Sequence, residues 1–276
     1  MPENNDILQA VLLEDYDRNW SNLLGEKNYA DHINRHRDNR LRFYKAIEKY
    51  LAQKAGQKVL ELGCGTGIDL NIVANENPNA ICFGSDISQK SILISVEISK
   101  LFGNDTQYFV ADTRYIPLKS GSFDLVFSQG LVEHFKEPLH VLKEQARTLK
   151  MGGILIVNVP QRFTGYTVVK KVLIKRGKWQ LGWELEFSYG DLRKIGHKLD
   201  LKQREVFGYQ YWRSWMEPLF VLRDLYNKLD RRNPLHHRQP FPTMKRVYDS
   251  LWKHFENRLG HYFLQNIVIV FEKKIP

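Results

Sequence analysis

The stretch Val59-Leu60-Glu61-Leu62-Gly63-Cys64-Gly65-Thr66-Gly67 decides how this chain folds. Its first four residues read as a buried strand. Three alternating glycines then break the strand into a turn, and the pattern from Ile68 to Ala74 is helical. Strand, glycine-rich turn and helix together make a cradle for a small ligand. Glycine permits positive φ and leaves no Cβ in the way of close approach. The spacing narrows the ligand. A dinucleotide fingerprint is G-x-G-x-x-G, whereas here the glycines stand at 63, 65 and 67, with Ile68 in the third glycine's place. Glu61 precedes the turn. A carboxylate there repels a pyrophosphate and suits a ligand with positive charge.

Outward from this stretch, strands and helices alternate. Ala80–Ser85 reads as a second strand that ends at Asp86, about 20 residues past the turn, where a ribose diol is held in such folds. Asp86 is equally placed to cap the helix Ile87–Phe102. Thr106–Val110 is a third strand, closed by Ala111-Asp112-Thr113, and Asp112 can serve as a loop cap. Phe123–Phe127 is a fourth strand, in which Asp124 reads as structural. Glu133-His134 is expected to open a helix through Leu149, stopped by Lys150-Met151-Gly152-Gly153. Ile154–Val159 is nearly all apolar, as suits a strand covered on both faces. The alternation predicts an α/β fold, a mostly parallel sheet with helices on both faces.

Residues 59 to about 160 resemble the class I S-adenosylmethionine-dependent methyltransferases. They are most similar to the small-molecule enzymes related to the ubiquinone and menaquinone methyltransferases. The resemblance implies a Rossmann-like sheet of seven strands, S-adenosylmethionine as cofactor and S-adenosylhomocysteine as product. It implies a cofactor site drawn from Glu61, Gly63, Gly65, Gly67, Asp86, Ile87, Asp112, Thr113 and Gln129. Within that set Asp112 would bond the adenine amino group, and Ser128–Leu131 would run past the sulfonium. Ubiquinone O-methyltransferases that use a divalent metal carry a Glu three residues before the Glu-His pair. Gly130 stands there instead, so no metal is assigned.

Methyl transfer from a sulfonium is an in-line displacement, which needs alignment, exclusion of water and, for a hydroxyl acceptor, a base. His134 is the candidate catalytic residue. It follows the fourth strand, and an imidazole titrates near neutral pH. Its alternative is to cap or pack the following helix, and Glu133 would orient the imidazole or cap the same helix.

The net charge is +10, and it is unevenly spread. Residues 160–262 hold 21 Lys plus Arg against 10 Asp plus Glu, and five of the six tryptophans: Trp179, Trp183, Trp212, Trp215 and Trp252. A basic, Trp-rich segment beside a neutral core points to an anionic, aromatic or amphiphilic acceptor. The expected organisation is a helical cap over 1–56, the cofactor core over 57–160, a basic lid over 161–188, core again over 189–208, a helical basic and aromatic insertion over 209–262, and the last core strand over 263–276. In the cap, Tyr16, Trp20 and Tyr29 are read as packing residues. In the lid, Gly165–Trp179 is expected to put Tyr166, Val169, Val172 and Leu173 on an apolar stripe, with Lys170, Lys171, Lys175, Arg176 and Lys178 on a solvated or membrane-facing side. The 209–262 insertion reads as two helical stretches, Trp212–Leu229 and Thr243–Leu259, around an exposed proline-rich loop containing His236-His237.

Cys64 and Cys82 read as reduced thiols, the first residues look unlike a signal peptide, and no apolar run reaches 18 residues. The expected setting is the cytoplasm, with peripheral membrane contact as the variant. Two further functions compete. The basic insertion would suit an RNA methyltransferase, but Ser128-Gln129-Gly130-Leu131 replaces the N/D-P-P-Y/F motif that holds a flipped base. A non-catalytic S-adenosylmethionine-binding module would need only the cofactor residues. Oligomeric state is not legible.

Overall fold

A computed structural model describes residues 29–51, 55–178, 183–209, 254 and 258–275. Seven strands form one sheet: β1 Lys58–Leu62, β2 Ile81–Asp86, β3 Gln107–Val110, β4 Phe123–Gln129, β5 Leu149–Pro160, β6 Leu201–Tyr209 and β7 Asn266–Lys273. Their order is β3-β2-β1-β4-β5-β7-β6. The pairs β1–β2, β1–β4, β2–β3 and β4–β5 are parallel, and β7 runs antiparallel to both β5 and β6. The order reverses between β1 and β4, and ligands bind at such a switch point, beyond the carboxyl ends of the strands. The glycine turn that follows β1 lies there.

The alternation of side chains along each strand fills two cores. Val59, Leu125, Phe127, Ile156, Val268 and Val270 face one side, packed with Phe43 and Ile47 of α1 (Tyr29–Leu51), Leu70 of α2 (Ile68–Glu76) and Ile94 of α3 (Gln89–Phe102). Leu60, Val126, Leu155, Val157, Ile267 and Ile269 face the other, packed with Val141 and Leu142 of α4 (Pro138–Thr148) and Leu192 of α6 (Tyr189–Lys198). Each such side chain, fully buried, contributes roughly 1.5–3 kcal/mol. Covering on both faces explains why β1 and β5 are apolar runs rather than alternating ones. Helix α6 starts at the Ser188 cap and closes a capping box with Asp191.

Three expectations are corrected. No helix runs from Glu133 to Leu149. Val132–His134 is a single 3₁₀ turn, Phe135 is extended, and α4 starts at Pro138. Proline fits the first helical position because its missing N–H would go unused there. Lys150-Met151-Gly152-Gly153 does not stop a helix either, since β5 already begins at Leu149, which pairs with Phe123. The glycines lie at a register shift between β4 and β5. Gly152 has φ +75°, and a Cβ on Gly153 would come within 3.2 Å of the Asp124 carbonyl. Strand pairing therefore outweighed the helix-stop signal. Asp124 itself is structural, accepting from the Lys58 backbone at 2.9 Å and from Lys150 Nζ at 2.7 Å.

The third correction concerns the lid helix, α5 (Gly165–Lys175). Lys170 is 1% exposed, whereas Val168 (47%), Val172 (40%) and Ile174 (53%) face out. Lys170 Nζ lies 2.9 Å from Glu186 and 3.3 Å from Glu184, which draws this one lysine inward and leaves Val172 outside, while Val169 and Leu173 stay half-buried and Lys171, Lys175, Arg176 and Lys178 are exposed as expected. Expectations for Tyr16, Trp20, Trp179, Trp212, Trp215, Trp252, the loop with His236-His237 and nearly all of the two helical stretches lie outside the described residues. The chain is helical at 258–263.

Candidate functional site

The glycine turn is pulled tight against β2 and α3. Gly63, Gly65 and Gly67 have φ of +67°, +52° and +69°, a region that side chains other than glycine rarely adopt. A Cβ on Gly63 would meet Leu131 at 2.7 Å, and one on Gly67 would meet the Tyr108 hydroxyl at 2.7 Å. The close approach at these two positions is thus made by protein side chains. The Cys64 N–H donates to the Ser85 carbonyl at 2.9 Å, and Ser95 Oγ donates to the Gly65 carbonyl at 2.9 Å.

Asp86 fastens the same turn. Its Oδ2 accepts from the Gly65 N–H at 2.9 Å and its Oδ1 from the Ser88 N–H at 2.9 Å. Ser88, not Asp86, is the cap of α3, accepting from the Ser91 N–H. Ile87 follows with 44% of its surface open. Glu61 is enclosed next to the turn. Burial, reinforced by the charge of Asp69, raises its pKa well above the ordinary carboxylate value.

Asp112 and Thr113 follow β3. Burial works against ionisation of Asp112, but hydrogen bonds from the Arg114 side chain and backbone outweigh it and hold its pKa below the ordinary value. The guanidinium reaches both carboxylate oxygens, Nε at 3.1 and 3.0 Å and Nη2 at 2.6 Å. Asp112 would therefore have to share its oxygens with Arg114 to bond an adenine amino group. Thr113 is buried, and its Oγ1 has no hydrogen-bond partner.

Gln129 ends β4, and His134 lies in the 3₁₀ turn that follows. His134 Nδ1 lies 3.1 Å from the Trp183 carbonyl. A carbonyl only accepts, so Nδ1 carries the proton, and in the neutral ring Nε2 is the basic nitrogen. Burial pushes its pKa down to about 4 despite that bond, and the Lys170 charge adds to the fall. Its neighbour Glu133 moves the opposite way, pushed up to about 8 chiefly by burial.

A shared property links these strand ends. Among the described residues, buried oxygens without a hydrogen-bond partner include Glu61 Oε2, Ser85 Oγ, Thr113 Oγ1, Gln129 Oε1, Glu133 Oε2 and Asn158 Oδ1. They come from β1, β2, β4 and β5 and from the turns after β3 and β4. Unpaired acceptors are costly unless a donor reaches them. A ligand with an ammonium, a sulfonium and ribose hydroxyls matches that need, so the residues fit S-adenosylmethionine.

Several residues of this region were not singled out by the sequence reading. Asp69, in the first turn of α2, accepts from Arg40 at 2.9 Å, from Tyr44, and lies 3.1 Å from His36 Nε2. His36, Arg40 and Tyr44 recur every four residues on α1, a polar stripe that is legible once α1 is known to pack on α2. Asn158 donates to the Tyr209 hydroxyl at 2.6 Å, and an Asn inside an apolar strand was the available signal.

Residues 60–157 match the family described as "Methyltransferase domain". An uncharacterized protein of Methanocaldococcus jannaschii is 30% identical over 191 residues, 66% of this chain and 70% of that protein. The malonyl-[acyl-carrier protein] O-methyltransferase of Marinomonas sp. is 36% identical over 99 residues, 36% of each chain. The chain thus spans about a third of the length of that enzyme. A geranyl diphosphate methyltransferase, solved in complex with S-adenosylmethionine, has the same fold at 13% identity, with a TM-score of 0.57 over 90% of this chain and 92% of its own. The glycine turn at the switch point, the strand order and these matches agree on the cofactor, S-adenosylmethionine, and this chain belongs to the class I S-adenosylmethionine-dependent methyltransferases.

Proposed function

We propose that this chain methylates oxygen or carbon of a small-molecule or lipid-like acceptor. The observation that carries this reading is the pairing of two features on neighbouring strand ends. One is the Asp86-fastened glycine turn, and the other is a neutral His134 whose basic nitrogen is fixed by the bond at Nδ1. S-adenosylmethionine supplies an electrophilic methyl group on a sulfonium. Glu61, Gly63, Gly65, Gly67, Asp86, Ile87, Asp112, Thr113 and Gln129 are the residues that would hold it, with Asp86 on the ribose hydroxyls. His134 takes the acceptor's proton at Nε2, and Leu131, packed on Gly63, helps to exclude water between turn and acceptor.

Calorimetry with S-adenosylhomocysteine tests the cofactor half. Asp86→Ala removes an acceptor to the ribose and also frees the Gly65 N–H. A hydrogen bond to a charged group is worth roughly 1.5–3 kcal/mol, so binding should weaken by about 10–100-fold. Unchanged affinity in a folded variant would take Asp86 out of the site.

The basic excess over 160–262 favours an anionic or amphiphilic acceptor. On α5 the outward Val168, Val172 and Ile174 lie among exposed Lys171, Lys175 and Arg176. Each cation near an anionic bilayer contributes about 1 kcal/mol, so neutralising these three should reduce vesicle binding by roughly 100-fold. Sedimentation with phosphatidylserine vesicles at low salt reads this. No sedimentation of the wild-type protein would remove membrane-borne acceptors from the proposal.

A further inference from the structure

Lys170 is almost fully buried, although the sequence places it among surface lysines, and the reaction as proposed gives it no part. Its ammonium lies 2.9 Å from Glu186 and 3.3 Å from Glu184. These two carboxylates sit two residues apart on an extended strap, 183–187, so their side chains share one face. The odd-numbered residues of the strap bond with their backbones. The Trp183 carbonyl accepts from His134 Nδ1, and the Leu185 N–H donates to the Glu133 carbonyl at 2.7 Å. The Phe187 N–H donates to the Pro160 carbonyl at 3.1 Å, and its own carbonyl accepts from the Arg162 N–H at 2.8 Å. One end of the strap is therefore tied to β5 and the other to the 3₁₀ turn. Lys170 grips its middle from α5.

We propose that Lys170 is a positioning residue. By clamping Glu184 and Glu186 it holds the strap against the 3₁₀ turn, so that the Trp183 carbonyl fixes His134 with its proton on Nδ1 and its base on Nε2. The catalytic meaning of this device rests on His134 acting as the base. The device itself is a property of the folded chain.

The charged and titratable groups around it act in a consistent direction. Glu184 and Glu186 face Lys170 from the strap, Glu133 and His134 face it from the 3₁₀ turn, and Arg162 donates to the Glu186 carbonyl at 2.9 Å. The Lys170 charge adds to burial in disfavouring a second proton on His134. Removing that charge removes one of the causes that hold the imidazole's pKa down. An Arg at 170 keeps the charge, whereas a Met keeps the length and loses it.

Nitrogen-15 spectra of the imidazole across pH 3–9 test the proposal without any turnover. In the wild-type protein at neutral pH they should show the Nδ1-protonated form, and an Nε2-protonated ring overturns the proposal outright. In Lys170→Met the two neutral tautomers should mix and the midpoint should rise. Lys170→Arg should restore both. S-adenosylhomocysteine affinity, read by calorimetry, should stay within about twofold in each folded variant. Lys170→Met leaves two buried carboxylates unpaired. Should it fail to fold, Lys170→Met combined with Glu184→Gln and Glu186→Gln removes that charge, and the tautomers should still mix. A folded variant without the Lys170 charge whose tautomer matches wild type overturns the proposal. Loss of turnover in His134→Ala is a separate readout. If turnover survives there while the spectra change as expected, the positioning role stands and the base assignment falls.

Discussion

His134→Ala is expected to lower kcat by about 10²-fold for a hydroxyl acceptor, the low end for a positioned general base, because a nitrogen with a pKa near 4 is a weak base at neutral pH. Binding of S-adenosylhomocysteine should be unchanged. The imidazole belongs to the turn after β4, whereas the glycine turn and Asp86 follow β1 and β2. The pH profile carries more information than the rate alone. Burial sets the pKa of His134 near 4, so the ring is neutral and able to accept a proton throughout pH 5–8. The acid limb of kcat/KM should therefore fall near 4 rather than near the 6.5 of an ordinary histidine. A limb at 6.5 would mean that the imidazole titrates in water and is not held by the strap. An acceptor that is already ionised, such as a stabilised carbanion, should lose far less on the same substitution, and that contrast separates a base from a packing residue. Turnover of His134→Ala within threefold of wild type on a hydroxyl acceptor would end the assignment.

The glycine turn was legible because its signals are local. Positive φ, the glycine spacing and the two aspartates at strand ends all sit within a few residues of the backbone they shape. The central strands β1, β4 and β5 followed from apolar runs covered on both faces, and the count of seven from the family resemblance. Misreadings arose where the decisive partner is distant in sequence. Gly152 and Gly153 look like a helix stop until β5 is seen to pair with β4 at a register shift. Lys170 looks like part of a solvated face until Glu184 and Glu186 arrive from beyond α5. No periodicity in 165–175 shows that burying the Lys170 ion pair would leave Val172 exposed. The roles of Gly63 and Gly67 shifted for a similar reason, since Leu131 from the turn after β4 and Tyr108 from β3 occupy the space their Cβ atoms would need. Charge pattern predicts a surface only when no opposite charge lies across the fold.

Asp69→Ala should destabilise the protein by about 3–5 kcal/mol, because it leaves the enclosed Arg40 without its carboxylate partner. Asp69 accepts two bonds from Arg40, at 2.9 and 3.1 Å, and one from Tyr44, with His36 at 3.1 Å, and all three partners come from α1. The cluster is the polar clasp between α1 and the first turn of α2, two residues past Gly67. For a chain of this size such a loss should lower Tm by roughly 10 °C. The sign of its pH dependence is fixed. Burial opposes ionisation of Asp69, but Arg40, His36 and Tyr44 outweigh it and depress its folded-state pKa below the unfolded value near 3.8. The stabilisation is thus present above that value and is lost as pH falls through the folded-state pKa, so wild type and variant should converge in acid. Glu61 runs the other way, since burial raises its folded-state pKa, and its contribution weakens as pH rises. Arg37→Ala provides the contrast. Its pair with Glu76 at 2.7 Å also joins α1 to α2, but the guanidinium is half exposed, and surface pairs contribute about 0–1 kcal/mol. Because Asp69 follows the glycine turn so closely, loosening the clasp should also weaken S-adenosylhomocysteine binding, which Arg37→Ala should leave intact. Equal melting temperatures for the two variants would show that α1 is held by Phe43, Ile47 and their apolar neighbours, and that the buried charges contribute nothing net to its docking.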